Sequence, residues 1–357
     1  MSRSVAGCAE FALLLDCCRA NFAGHPDERP VPPAGLDWPR FVRLARFHRV
    51  EGLAWNALAH DTVSPDAAAA LSGEARSIAA TNLAIARECA GLAEAFARAD
   101  ILLLFLKGLS VAALAYRAPM LKAGWDIDLL VDEAAVAAAA AELAARGYRR
   151  TIPGLGVDLA RWHARRKESV WSRPEERLHV ELHTRLADNG RLIPAIGIDS
   201  PRREVEIAAG IALPTLAADE LFAYLCVHGA SSLWFRLKWI SDLAGLIDGL
   251  SAHELEQLYA RSQELGAGRA AGQALLLADR LFGTLGDSPL RNRLTADAAV
   301  RRLAAAALRQ VAGRAEPREP TAIPLGTWRI HWTQLLLLPG ARFALGEVAR
   351  QLRDAGP

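Results

Sequence analysis

Through the first 97 residues, apolar positions recur three and four apart, the spacing of helices that bury one face. "WPRFVRLARFHRVEGLAWNALA" predicts a core-facing helix or helix pair. "SGEARSIAATNLAIARECAGLAEAFARAD" predicts one long helix with Ser72 at its N-cap and Glu88 and Glu94 on its polar side. The Pro-rich "GHPDERPVPPAGLDWP" ahead of them leaves no room for a regular element.

Near residue 98 the pattern changes. "ILLLFLKG" (101–108) is a continuous apolar run stopped by Lys-Gly, as expected of a strand buried on both faces. "SVAALAYR" predicts a helix, and "DIDLLV" (126–131) alternates with period two. Asp132 is placed to cap the helix "EAAVAAAAAELAARG", which Gly147 ends. "YRRTI" reads as a strand, and "ESVWSRPEERLHVELHTRL" as two strands around a Pro-Glu-Glu turn. From about residue 214 the helical spacing returns, and the tail from "TWRIHW" onward predicts a terminal helix docked on the body. The expected architecture is α+β and mostly helical: a helical region over 1–97, a small mixed β-sheet core over 98–200, and a second helical region over 201–357.

Composition narrows the function classes. The 42 basic and 40 acidic residues give a formal charge of +2, which is no nucleic-acid footprint. Alanine makes up much of the 52% hydrophobic content, which favours helix. Five cysteines, Cys8, Cys17, Cys18, Cys89 and Cys226, lack both the density of a disulfide scaffold and a metal-binding CxxC spacing, so a reducing cytoplasm is expected. Glu10 and Asp16 bracket "FALLL" too tightly for a signal-peptide core, and the apolar runs are too short to span a bilayer.

The candidate chemistry lies in "LKAGWDIDLLVDE" (121–133). On a strand, Asp126 and Asp128 share one face with Leu130, while Ile127, Leu129 and Val131 face the core. Two carboxylates spaced about 6 to 7 Å apart along the backbone can converge on a divalent cation. "LHVELHTRL" (178–186) has the same grammar, with His179, Glu181 and His183 opposite an apolar face, so Glu181 could supply a third carboxylate. Such a set suits Mg²⁺ or Mn²⁺, ions that organise phosphates. Lys107 and Gly108, ending the first strand, offer a charge and a close backbone approach to a phosphate.

Taken in order, "LLFLKGLSVAALAY", "LKAGWDIDLLV" and "LHVELHTRL" resemble the uncharacterised nucleotidyltransferase family of the DNA polymerase beta-like nucleotidyltransferase superfamily, over roughly residues 37–250. The resemblance implies transfer of a nucleoside monophosphate from an NTP to a hydroxyl acceptor, with pyrophosphate released. It implies Asp126, Asp128 and Glu181 as the catalytic, metal-holding carboxylates, and Lys107, Gly108, Ser110 and Lys122 as nucleotide-binding residues. Two departures stand out. Lys107-Gly108 replaces the usual Gly-Ser turn, with Ser110 two residues on, and Lys122 replaces an arginine, keeping the charge but losing the bidentate fork. The acceptor, whether small molecule, peptide or protein, is not legible.

Other readings remain open. The same core could be a catalytically silent nucleotide- or protein-binding regulator. His179-x-Glu181-x-His183 could ligate zinc, although it lacks zincin spacing. Glu181 could instead pair with Arg177 or Arg185 on an exposed face. His48 and His228 read as structural histidines, and Asp242 faces either Lys238 four residues back, the preferred helix pair, or the cleft.

Overall fold

The computed structural model describes residues 8–25, 29–176, 178–312, 318–322 and 325–355. Four helices precede the sheet: α1 (Ala9–Ala20), α2 (Trp38–His48), α3 (Glu51–Ala57) and α4 (Pro65–Arg98). The sheet region then runs β1 (Leu104–Phe105), α5 (Leu109–Ala115), β2 (Ile127–Leu130), α6 (Val136–Ala145), β3 (Arg149–Ile152), α7 (Leu159–His163), β4 (Glu168–Arg173) and β5 (Leu178–His183). A hairpin, β6 (Arg202–Ala208) and β7 (Ile211–Leu216), leads to α8 (Ala218–Ser231), α9 (Leu237–Ile247), α10 (Ala252–Glu264) and α11 (Arg269–Phe282). The chain finishes with α12 (Pro289–Ala296), α13 (Ala298–Val311), α14 (Trp328–Gln334) and α15 (Ala341–Ala355). The fold is α+β and mostly helical, as the periodicity predicts.

Local sequence explains many of the boundaries. Asp37 caps α2 by accepting from the Arg40 amide at 2.9 Å, and Ser251 with Glu254 forms a reciprocal capping box on α10. Asp132 accepts from the Ala134 amide at 2.7 Å, in the short turn that opens α6. The expected cap at Ser72 is not observed. α4 starts eight residues earlier, with Ser64 at the N-cap position and Pro65 in the first turn, where a missing N–H costs nothing. The alanine run after Pro65 carries the helix through Gly73, and Ser72 donates to the Ala69 carbonyl at 3.2 Å.

The five-stranded sheet has the order β1-β2-β5-β4-β3. β2 and β5 are parallel and the other pairs antiparallel, so the sheet is mixed. The "ILLLFLKG" run contributes only a two-residue edge strand, Leu104 and Phe105, paired with Leu130 and Leu129. The hairpin over 202–216, to which the periodicity assigned no element, is a separate two-stranded sheet. Thr215 ties it to β1 by donating to the Phe105 carbonyl at 2.6 Å.

One face of the sheet is apolar. Ile127, Leu129, Val131, Val180 and Leu182 pack with Ile85, Leu92 and Phe96 of α4 and with Ala139 and Leu143 of α6. The helices on either side in sequence share a second core, which includes Leu53, Tyr224, Trp234, Leu243 and Leu275. The tail docks as expected: Gln334 donates to the Ser231 carbonyl at 2.7 Å and Asn189 to Glu347 at 2.7 Å.

Candidate functional site

The polar face of the sheet carries the site. β2 and β5 run parallel with Asp128 opposite Glu181, and β4 places Glu168 opposite His183. Asp128 Oδ1 lies 2.7 Å from Lys107 Nζ and 3.2 Å from His183 Nε2. The same His183 nitrogen is 3.5 Å from Glu181, while its Nδ1 is 3.3 Å from Glu168. With carboxylates flanking both ring nitrogens, His183 bridges the three strands.

Charge is finely balanced in this cluster. Burial works against the Asp128 carboxylate, but Lys107 and His183 outweigh it and hold the group well below the usual range. Burial also opposes the His183 cation, yet Asp128 and Glu181 raise its pKa above the ordinary value. Glu181 moves the other way. Burial pushes its carboxyl up, and the Asp128 charge beside it adds to the effect.

Asp128, Glu181, Glu168 and Lys107 open onto a cavity of about 270 Å³, with His183 behind them. From the sheet side come Lys107, Gly108, Asp126, Asp128, Lys167, Glu168 and Glu181. Arg49, Lys122, Leu225, His228, Lys238, Trp239 and Asp242 line it from the flanking helices and loops. Lys167 is neutralised by Glu168 at 2.7 Å, and Lys122 by Asp242 at 3.0 Å.

The sequence-predicted residues are placed as follows. Asp128 and Glu181 are side by side. Asp126 lines the same cavity but stands one residue before β2, outside the group of Asp128, Glu181 and His183 whose ligand atoms lie within 4.8 Å of one another. Gly108 is at the cavity, at the N-cap of α5 with φ 69°. Ser110 is buried, its hydroxyl has no hydrogen-bond partner, and it is not among the lining residues. Lys122 lines the cavity but is 6% exposed and paired.

The contacts decide between three sets of readings left open by the sequence. Asp242 pairs with Lys122 and accepts from the Tyr116 hydroxyl at 2.9 Å, so it is no helix partner of Lys238; the close packing of α5 on α9 brings these groups together. Arg185 donates to the His163 carbonyl at 3.1 Å rather than to Glu181, and Arg177 lies outside the described residues. His179 bonds Ser172 at 2.9 Å and takes no part in the Asp128 cluster, so His-x-Glu-x-His does not converge as a unit. His48 is structural, its Nδ1 accepting from the Leu237 amide at 3.2 Å; burial, then Arg236, push its pKa down to about 3.

Sequence reasoning missed Glu168 and Lys167, and it weighed His183 only as a zinc ligand. The signal for Glu168 was present: in a hairpin around Pro174–Glu176, Glu168 must face His183. Nothing local marked Arg49 or Lys238.

The donor set suits a hard divalent cation. Asp128 and Glu181 offer carboxylate oxygens from adjacent strands, Asp126 offers another on the same cavity wall, and the direct contacts of Asp128 and Glu181 with cationic groups are to Lys107 and His183. No helix among the described residues is long and apolar enough to cross a membrane. No curated protein matches the chain. A family model described as an uncharacterised nucleotidyltransferase matches residues 34–283, a span that holds every cavity-lining residue named above, and the chain belongs to that family.

Proposed function

We propose that the protein is a divalent-metal-dependent nucleotidyltransferase that moves a nucleoside monophosphate from an NTP to a hydroxyl acceptor and releases pyrophosphate. The observation that carries this reading is the register of Asp128 against Glu181, at a cavity that also presents lysines, within a chain of this family. Mg²⁺ or Mn²⁺ would be held by Asp128 and Glu181 with Asp126, and when bound would neutralise phosphate charge and lower the pKa of the attacking hydroxyl. The acceptor oxygen bonds to the α-phosphorus as the bond to the bridging oxygen of the β-phosphate breaks, and pyrophosphate leaves with that electron pair. Glu181, which has no lysine or arginine partner among the described residues, takes the hydroxyl proton. Lys107 keeps Asp128 ionised, and the Gly108 backbone allows close approach of a phosphate. Lys122 and Ser110 have less support as nucleotide contacts, one being neutralised by Asp242 and the other lying off the cavity. The five cysteines are all free, in keeping with a reducing compartment such as the cytoplasm.

One observation favours a second reading. The Lys107 ammonium sits against the Asp128 oxygen that a cation would approach, as a protein retaining the core without catalysis could arrange. Both readings are tested by thermal stability with each NTP, with and without Mg²⁺, alongside pyrophosphate release. A ligand at 100 times its Kd adds about 2.7 kcal/mol, a shift of a few degrees. Metal-dependent stabilisation that Asp128→Asn abolishes, together with pyrophosphate release, supports the enzyme. Stabilisation without release over a wide acceptor panel supports a silent nucleotide binder, and no response of the folded wild type to any NTP removes the transferase and favours a protein-binding regulator.

A further inference from the structure

Three of the five cationic side chains lining the cavity, Lys107, Lys122 and Lys167, are neutralised by Asp128, Asp242 and Glu168. The other two, Arg49 and Lys238, have no side-chain hydrogen bond or ion pair among the described residues. Neither belongs to the sheet. Arg49 ends α2 in the left-handed conformation, φ 56°, and Lys238 stands in the first turn of α9.

The features unfavourable to a cation at Lys238 outweigh the nearby Asp126 and Asp242 charges, neither of which forms an ion pair with it among the described residues. It is 8% exposed, the Lys122 charge is close by, and its helix turn presents the positive end of the backbone dipoles. Burial, and then Lys122, push its pKa down to about 8. Arg49 is offset only in part by nearby Glu51, whose carboxyl burial pushes up to about 7. A buried cation without its usual compensation destabilises the empty fold, and an anion in the cavity would remove that cost.

We propose that Lys238 and Arg49 form a polyphosphate subsite on the helical side of the cavity, which receives the β- and γ-phosphates of the substrate. The identity of the polyphosphate as an NTP tail rests on the nucleotidyltransferase reading, whereas the anion site stands on the charge pattern. Direct pairing is thus divided by element: Asp126 and Glu181, on the sheet side, have no lysine or arginine within ion-pair distance among the described residues, and Lys238 and Arg49, on the helical side, have no carboxylate within that distance. Size agrees. At about 270 Å³ the cavity falls below the roughly 300–1,000 Å³ that encloses a whole drug-sized ligand, so it takes the charged tail and leaves the nucleoside nearer its mouth.

The test is calorimetric titration of inorganic tripolyphosphate in metal-free buffer into the full chain, wild type and variants. Lys238→Met removes the charge while keeping an aliphatic stem, so it is expected to fold with a melting temperature no lower than wild type. Its affinity should fall about tenfold or more, the loss of one charge-assisted contact. Arg49→Asn, which tolerates the left-handed backbone, should weaken binding several-fold. Failure of the wild type to bind, or equal affinities across wild type and both folded variants, would overturn the subsite. Parallel melts with Mg²⁺ and NTP on Asp128→Asn separate the two ideas. Lys238-dependent tripolyphosphate binding with no NTP response keeps the anion site and removes the transferase. Equal tripolyphosphate affinities with an Asp128-dependent NTP response remove the subsite alone.

Discussion

The Lys107 ammonium lies 2.7 Å from Asp128 Oδ1, with the lysine side chain 16% and the aspartate side chain 1% exposed. Removing either partner strands the other charge in the interior, so Lys107→Met and Asp128→Asn should each lose about 3–5 kcal/mol in urea denaturation. The double variant should recover most of that loss, because no unpaired charge remains. It should nonetheless show no metal-dependent nucleotide response. A double variant as unstable as the two losses added together would mean that the residues do not act as a pair.

A second network fixes the helical side of the cavity. The Tyr116 hydroxyl lies 2.9 Å from both Ser241 Oγ and Asp242 Oδ1, which it orients toward Lys122. Tyr116→Phe should cost about 1 kcal/mol by chemical denaturation, the net worth of an ordinary hydrogen bond. A loss several times larger would show that Lys122 depends on Tyr116 for its partner.

Two glycines should respond oppositely to alanine. A Cβ on Gly52 would sit 2.2 Å from the carbonyl oxygen of Leu121, which precedes Lys122. Backbone stands on both sides of that contact, so Gly52→Ala should cost about 1–3 kcal/mol and shift the segment bearing Lys122. Gly73 lies within α4 with nothing within 4 Å, so Gly73→Ala should gain about 0.5–1 kcal/mol. Thermal melts of both variants check the pair of signs.

Glu51 gives a pH signature away from the carboxylate cluster. Burial raises its folded pKa from 4.5 to about 7, so between those values the folded state keeps a proton that the unfolded chain has released. Stability should therefore fall as pH rises from about 4.5 to about 7 and level off above, by up to about 3 kcal/mol from this group. Glu51→Gln should flatten that part of the profile and be the more stable protein at pH 8. A variant with an unchanged slope would show that Glu51 is ionised in the folded protein.

The strand faces were legible because a pleated strand turns alternate residues to opposite sides. "DIDLLV" and "LHVELH" each separate an apolar row from one that carries the polar residues, and the structure buries Ile127, Leu129, Val180 and Leu182 accordingly. The Asp132 cap was readable because its partner lies two residues away. The hairpin at 202–216 was harder to read: Pro214 inside β7 breaks the usual strand signal and is tolerated because β6 and β7 form a two-stranded sheet with open edges.

By itself, then, the sequence determined the class of fold, the carboxylate-bearing strands and the family, all of which rest on local periodicity or ordered motifs. Only the tertiary structure decided which charges are neutralised. Lys238 and Asp242, four apart on one helix, look like partners in the sequence, yet Asp242 turns to Lys122 and Lys238 is left without a direct ion pair among the described residues. In the same way, parallel pairing of β2 with β5 set Asp128 beside Glu181 and brought His183 between them. Periodicity fixes the face on which a side chain lies, but the worth of its charge depends on distance and burial, and those come from segments apart in the chain, 55 residues for Asp128 and His183.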